Sequence, residues 1–255
     1  MEVLTATCTD VGIKKATNQD SLCLKVAETS IGKIVLAIIC DGMGGLAKGE
    51  VASASVVNAF EDWFEQELPA QLAHKDYAEI RYRWDRIIKE QNQRIAEYGR
   101  SIRIQLGTTL TALLLIDTKF MLIGHVGDSR VYRINRELEV MTEDQTVVGR
   151  ELKRGNLTPA QAKVDPRRNV LLQCIGASKL VEPQFITGIP MRGDVYMLCS
   201  DGFRHMISEA EIYQAFSPQA LMDEAIMKNK AVELVELNKA RQELDNISVM
   251  LIKIL

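Results

Sequence analysis

The sequence predicts an α+β fold in which helices are layered on antiparallel sheets. Two observations carry this. Short, β-branched apolar segments come in groups bounded by Asp, Gly, Asn or Ser, and several are joined by links too short for a parallel crossover. Between the groups stand paired segments whose apolar residues recur at helical spacing. With 255 residues, 47% of them hydrophobic and 25% charged, the chain is long enough to bury a large core, and one domain over 1–255 is expected.

The elements follow in order. Segments 3–9, 21–27 and 33–40 read as strands. In 50–66, Ala52, Val56, Val57, Phe60, Trp63 and Phe64 fall on one helical face, and in 76–98 Tyr77, Ile80, Trp84, Ile87, Ile88, Ile95 and Tyr98 do the same. Glu79 with Arg83 and Glu90 with Arg94, four apart, give the second helix a solvated face. Strands return as "TTLTALLLI" (108–116) and "KFMLIGHVG" (119–127), joined by a two-residue Asp117-Thr118 link, and as "RVYRI" (130–134). From 142 to 190 the chain is polar and irregular, with one short helix announced by Thr158, Pro159 and Gln161. "VYMLCS" (195–200) is a strand, Ser208 to Glu211 opens a helix as a capping box, Ser217-Pro218 opens another, and "ISVMLIKIL" (247–255) is the last strand.

Composition narrows the function. A net charge of −3 and a pI near 5.8 supply no basic field for nucleic acid or an anionic membrane. Cys8, Cys23, Cys40, Cys174 and Cys199 are scattered, with no C-x-x-C pair, and read as reduced thiols. The opening "MEVLTATCTD" has an acid where a signal peptide needs basic residues, and no window approaches about 18 uninterrupted apolar residues. A cytoplasmic protein is expected.

The chemistry gathers at strand ends. "IVLAIIC" runs into Asp41-Gly42, "FMLIGHVG" into Asp128 and "VYMLCS" into Asp201-Gly202, while Asp245-Asn246 opens the last strand. One Asp-Gly after a strand is most simply a turn. Four such aspartates in one sheet system would repel one another unless cations neutralise them, and hard oxygen ligands select Mg²⁺ or Mn²⁺. Two such ions can activate a water and clamp a phosphoryl group. The rival is a dinucleotide site, because Gly42, Gly44 and Ala47 satisfy G-x-G-x-x-A. Its context is wrong, since two helices and tightly linked strands follow where a parallel strand and an acid about 20 residues on are required. The sequence has no P-loop, H-E-x-x-H or G-x-S-x-G.

"GIKKATNQDS" (12–21), "DGMGG" (41–45), "GTTLTALLL" (107–115), "VGDSRVY" (126–132), "LCSDGF" (198–203) and "DNISVMLI" (245–252), in this order, closely resemble the bacterial metal-dependent phosphatases of the protein phosphatase 2C (PPM) family. The resemblance implies a four-layer α/β/β/α sandwich with two central antiparallel sheets flanked by helix pairs. It implies two Mn²⁺ or Mg²⁺ ions, with Asp41 bridging both, Asp201 and Asp245 completing one and the Gly42 carbonyl the other. Asp128, with Asp201, matches a position for a weaker third ion. Asp20 would hold metal-bound water, with Gln19, Ser200 and Asn246 as neighbours outside the ligand set. The implied reaction is hydrolysis of phosphoserine and phosphothreonine in proteins by a metal-bridged water, acting on the substrates of a Ser/Thr kinase, in a monomer.

Departures from the family pattern bear on this. Lys15 stands where an Arg forks onto the substrate phosphate, and a lysine offers a point charge only. Gln19 replaces a Glu of eukaryotic relatives, Met43 their His, and Gln145 and Asp165 stand where bacterial relatives commonly carry His, within a segment that resembles the family's flap at about 142–190. His125 and His205 read as structural, the cluster Lys153, Arg154, Arg167 and Arg168 as a solvated face, and Arg130 either pairs with a site carboxylate or anchors its strand. Two other functions stay open at this point: a catalytically weak phosphoprotein-binding regulator and a dinucleotide-binding oxidoreductase.

Overall fold

The structure, a computed structural model, describes residues 1–43, 48–74 and 77–255. Two five-stranded sheets form its centre. The first has β1 (Val3–Asp10), β10 (Ile247–Ile254), β9 (Val195–Cys199), β6 (Arg130–Ile134) and β7 (Leu138–Val140) side by side in that order. The second has β2 (Asp20–Thr29), β3 (Gly32–Asp41), β4 (Leu110–Ile116), β5 (Phe120–Val126) and β8 (Gln184–Gly188). Every pairing is antiparallel.

Alternation along the strands divides the core into three parts. In β3, Ile34, Leu36, Ile38 and Cys40 pack against helices α1 (Gly49–Gln66) and α3 (Tyr77–Ile102), while Val35, Ala37 and Ile39 pack between the sheets. In β10, Val249 and Leu251 meet α7 (Glu209–Phe216) and α8 (Glu224–Ala240), while Met250, Ile252 and Ile254 face the other sheet. Both faces of these strands are covered, which is why they read as unbroken apolar runs. Trp84 of α3 anchors one helical layer, its ring edge-on to Phe60 at 5.2 Å and to Trp63 at 5.5 Å. The result is the four-layer α/β/β/α sandwich.

Several elements differ from expectation. A short helix, α2 (Leu68–His74), precedes α3, and the stretch 142–190 holds α4 (Val147–Lys153) and the edge strand β8 besides α5 (Pro159–Val164). Only Val148 of α4 is buried, so no apolar period marks it. Thr158 and Gln161 do form a reciprocal capping box on α5, as Ser208 and Glu211 do on α7. Ser217-Pro218 opens only a 3₁₀ turn over Pro218–Ala220, because the chain leaves helical geometry at the fully buried Leu221. The long helix α8 starts later, where Asp223 accepts a bond from the Ile226 N–H. The β4–β5 link has three residues, since Ile116 pairs with Phe120, and Asp117 takes the left-handed backbone (φ 48°) that Asp tolerates. Among the described residues no helix is long and apolar enough to cross a membrane.

Candidate active site

The predicted aspartates meet at one mouth of the sandwich. Asp41 ends β3, Asp20 begins β2, and the two are direct partners in the antiparallel register. Opposed residues point to the same face, and this face carries Ile39 and Leu22, which pack between the sheets. From the other sheet, Asp201 follows β9 as the first residue of the short α6 (Asp201–Arg204), and Asp245 immediately precedes Asn246 and β10. Asp128 lies on the crossing from β5 in one sheet to β6 in the other.

The backbone at Asp41 is held on both sides. Its N–H donates to Thr109 Oγ1 (2.9 Å), and its carbonyl accepts from the Thr109 N–H (2.9 Å) and the Thr108 hydroxyl (3.0 Å). Gly42 is pressed between two backbones, since a Cβ there would lie 2.5 Å from the Gly49 carbonyl oxygen and 2.6 Å from that of Gln19. Residues 44–47 lie outside the described residues, and with them Gly44 and Ala47 of the dinucleotide pattern. Both strands flanking β3 are antiparallel to it, so the parallel return of a dinucleotide fold is not made.

Electrostatics mark the mouth as congested with negative charge. Burial, then the charges of Asp20, Asp201, Asp128 and Asp245, push the Asp41 carboxyl well above the usual carboxylate range. Burial likewise raises Asp20 to about 7, with the Ser248 and Ser200 hydroxyls opposing the shift, and Asp128 to about 7, where Asp201 adds to burial and Arg204 opposes it. The two serine hydroxyls approach Asp20 without reaching hydrogen-bond geometry, so both oxygens of Asp20, like one of Asp201, are buried with no hydrogen-bond partner among the described residues. Orphaned carboxylate oxygens in a crowd of like charge are a donor set that a hard divalent cation satisfies. Among the described residues no three or more His, Cys, Asp or Glu groups stand close enough together to hold a metal ion by themselves. An ion such as Mg²⁺, which keeps several of its waters, needs only one or two direct carboxylates. The residues fit the ion class on these grounds.

The remaining predicted residues divide. Lys15 Nζ lies 2.7 Å from Asp245 Oδ1; burial opposes its charge, but the bond to Asp245 and the charges of Asp245, Asp41 and Asp201 outweigh burial and hold it above the ordinary lysine range. Asn246 is a clamp: its Oδ1 accepts from the Gln19 N–H (2.9 Å) and its Nδ2 donates to the carbonyls of Val11 (2.9 Å) and Thr17 (3.2 Å), fixing the loop that carries Lys15. Ser200 Oγ accepts from the Ser248 N–H at 3.1 Å. The Gln19 amide donates to Glu50 of α1 at 3.1 Å. Gln19 precedes Asp20 on the chain, and this contact takes its side chain to the helix side.

Arg130 pairs with none of the predicted ligands. It forks onto Asp144 at 2.7 Å through both Nε and Nη2, and Arg204 Nη2 donates to the Asp128 carbonyl (3.0 Å) while lying 3.4 Å from the same Asp144. Lys153, Arg154 and Arg167 pair with Glu143, Glu151 and Asp165. Sequence reasoning missed Ser248, Asp144, Arg204 and Glu243. Ser248 shares the strand parity of Met250 and could have been found that way; the other three carry no periodic signal. A groove of about 380 Å³ between α1 and α3, lined by Asp62, Glu67, Arg83, Glu90 and Arg94 among others, contains none of the mouth aspartates.

Solved structures that share this sandwich are bacterial serine/threonine phosphatases. The Streptococcus agalactiae serine/threonine phosphatase matches at a TM-score of 0.85 with 31% identity, covering 100% of both chains. The catalytic domain of the phosphatase PstP, in complex with 2 manganese ions, matches at 0.79 with 29% identity over 98% of this chain and 97% of that one. Protein phosphatase PhpP of Streptococcus pneumoniae is 33% identical over 247 residues, 96% of this chain and 94% of the relative. The chain belongs to the protein phosphatase 2C family, whose model matches residues 13–236, and is a protein serine/threonine phosphatase.

Proposed function

We propose that the chain, acting as one domain and as a monomer, removes phosphate from phosphoserine and phosphothreonine in the protein substrates of a Ser/Thr kinase, using two Mn²⁺ or Mg²⁺ ions. The observation that carries this is the convergence of Asp20, Asp41, Asp128, Asp201 and Asp245 at one mouth, where three buried carboxylate oxygens lack partners among the described residues. The PstP domain, solved with 2 manganese ions, supports the choice of metal.

Asp41, the Gly42 carbonyl, Asp201 and Asp245 would hold the ions, with Asp128 available to a third. The ions, when bound, supply an activated water and neutralise charge on the phosphoryl oxygens. Lys15, ion-paired to Asp245 at 2.7 Å, presents a cation at the same mouth to bind and orient the substrate phosphate. Asp20, whose two oxygens have no hydrogen-bond partner among the described residues, would orient water by hydrogen bonds. Thr108 and Thr109 fix the backbone of Asp41, so its carboxylate is placed by the sheet.

The test is phosphate release from a phosphothreonine peptide with Mn²⁺, with Mg²⁺ and with EDTA. The reading expects turnover with at least one metal and loss of it in EDTA, restored by adding metal back. Turnover that survives exhaustive chelation sinks it.

A further inference from the structure

His205 and Glu243 form a link between the two loops that bring Asp201 and Asp245 to the mouth. His205 Nε2 lies 3.4 Å from Asp201 Oδ2, one helical turn back, and Nδ1 lies 3.3 Å from Glu243 Oε2. The other oxygen of Glu243 accepts from the backbone N–H of Leu244 (2.8 Å) and of Asp245 (2.9 Å). An imidazole can address two carboxylates at once because its nitrogens are on different sides of the ring. Neither approach is a hydrogen bond, since Glu243 Oε2 has no hydrogen-bond partner among the described residues; the imidazole stands between the two carboxylates at ion-pair distance, and Glu243 Oε1 carries the link on to the Asp245 backbone.

The surrounding structure holds this link in place. Gln242 takes a left-handed backbone (φ 66°), and the Glu243 N–H returns to the Asn238 carbonyl (3.0 Å), which turns the buried Glu243 back beneath α6. Asn238, fully buried, donates to the Phe203 carbonyl at 2.8 Å, tying α8 to α6. Gly202 lies so close to the Asn246 carbonyl that a Cβ would meet it at 2.2 Å, so the Asp201 turn rests directly on the Asp245-Asn246 loop. A buried carboxylate without polar partners is costly, and Glu243 has the Leu244 and Asp245 N–H groups on one oxygen and the imidazole 3.3 Å from the other.

We propose that His205 and Glu243 are positioning residues that act as one strut, fixing the Asp201 carboxylate relative to Asp245 so that the two can share an ion. The inference rests on the metal reading above. Groups that orient metal-ligating carboxylates commonly change affinity by about 10–100-fold when removed.

The test is a Mn²⁺ titration followed by the EPR signal of free Mn²⁺, on wild type, His205→Gln, Glu243→Gln and the double variant. Glu243→Gln keeps the acceptor for Leu244 and Asp245 and removes only the charge facing the imidazole. Each single variant is expected to weaken one binding step about tenfold or more and leave the other as in wild type. The double variant is expected to be no weaker than the worse single, because the two act as a unit. Wild-type affinities in both single variants, additive losses in the double, or loss of both steps together with the near-UV CD signal would each overturn the strut. Absence of any Mn²⁺ step in wild type would instead overturn the metal reading, and the strut with it.

Discussion

His125, inside an apolar strand, and His205, just after a strand-end turn, both read as structural in the sequence, and only tertiary neighbours separate them. His205 faces two carboxylates. His125 is fully buried between Thr111 Oγ1 (2.9 Å from Nδ1) and the Glu143 carbonyl (3.1 Å from Nε2). A carbonyl can only accept, so Nε2 carries the proton and Nδ1 takes the threonine hydroxyl. Burial pulls this ring down to about 4, against the attraction of Asp144 and with a smaller push from Arg130. The unfolded chain protonates near about 6.5. Above that pH both states are neutral and the stability is complete; as pH falls towards 4 the unfolded state binds the proton first and stability is lost, by about 3 kcal/mol. Urea unfolding of wild type and His125→Gln across this range isolates the effect, because the glutamine amide keeps a donor for Glu143. The wild-type stability should fall more steeply with acid than the variant's, and parallel curves would contradict the assignment.

The strands were the legible elements. Each central strand is covered on both faces, so its apolar run, its bounding polar residues and the aspartate at its end are all written locally. Elements held by polar contacts left no such trace. α4 buries one residue, and β8 is half-buried at a sheet edge. α8 starts later than the sequence predicts because the burial of Leu221 overrides the helix signal of Ser217-Pro218. The loop carrying Lys15 belongs to the same group, since residues 11–19 are placed by Asn246 rather than by a pattern of their own. Asn246→Ala leaves the buried Gln19 N–H without its acceptor and frees two carbonyls. A loss of about 1–3 kcal/mol is expected, read as a lower denaturant midpoint at unchanged slope. An unchanged midpoint would show that the loop is held by other means.

At the scale of the molecule, the carboxylate mouth is a product of sheet stacking. One sheet contributes Asp20 and Asp41, the other Asp201 and Asp245, and Asp128 sits on the connection between them. The sequence displayed the donors because four of them terminate or open strands; it could not display their coupling, which arises only when the two sheets close on Val35, Leu113, Leu198 and Met250. The arrangement stores repulsion among buried carboxylates, and divalent cations would turn that repulsion into binding. Asp41, paired with Asp20 and facing the charges of the other sheet, lies at the centre of this crowd. Replacing it by asparagine removes an ionisable carboxyl from this crowd and should leave the metal-free protein folded and no less stable. The decisive measurement is phosphate release from a phosphothreonine peptide by Asp41→Asn at saturating Mn²⁺. A fall of about 100-fold or more in turnover, in protein with wild-type circular dichroism, is expected. Turnover equal to wild type would contradict the claim that these carboxylates hold the ions that drive the reaction.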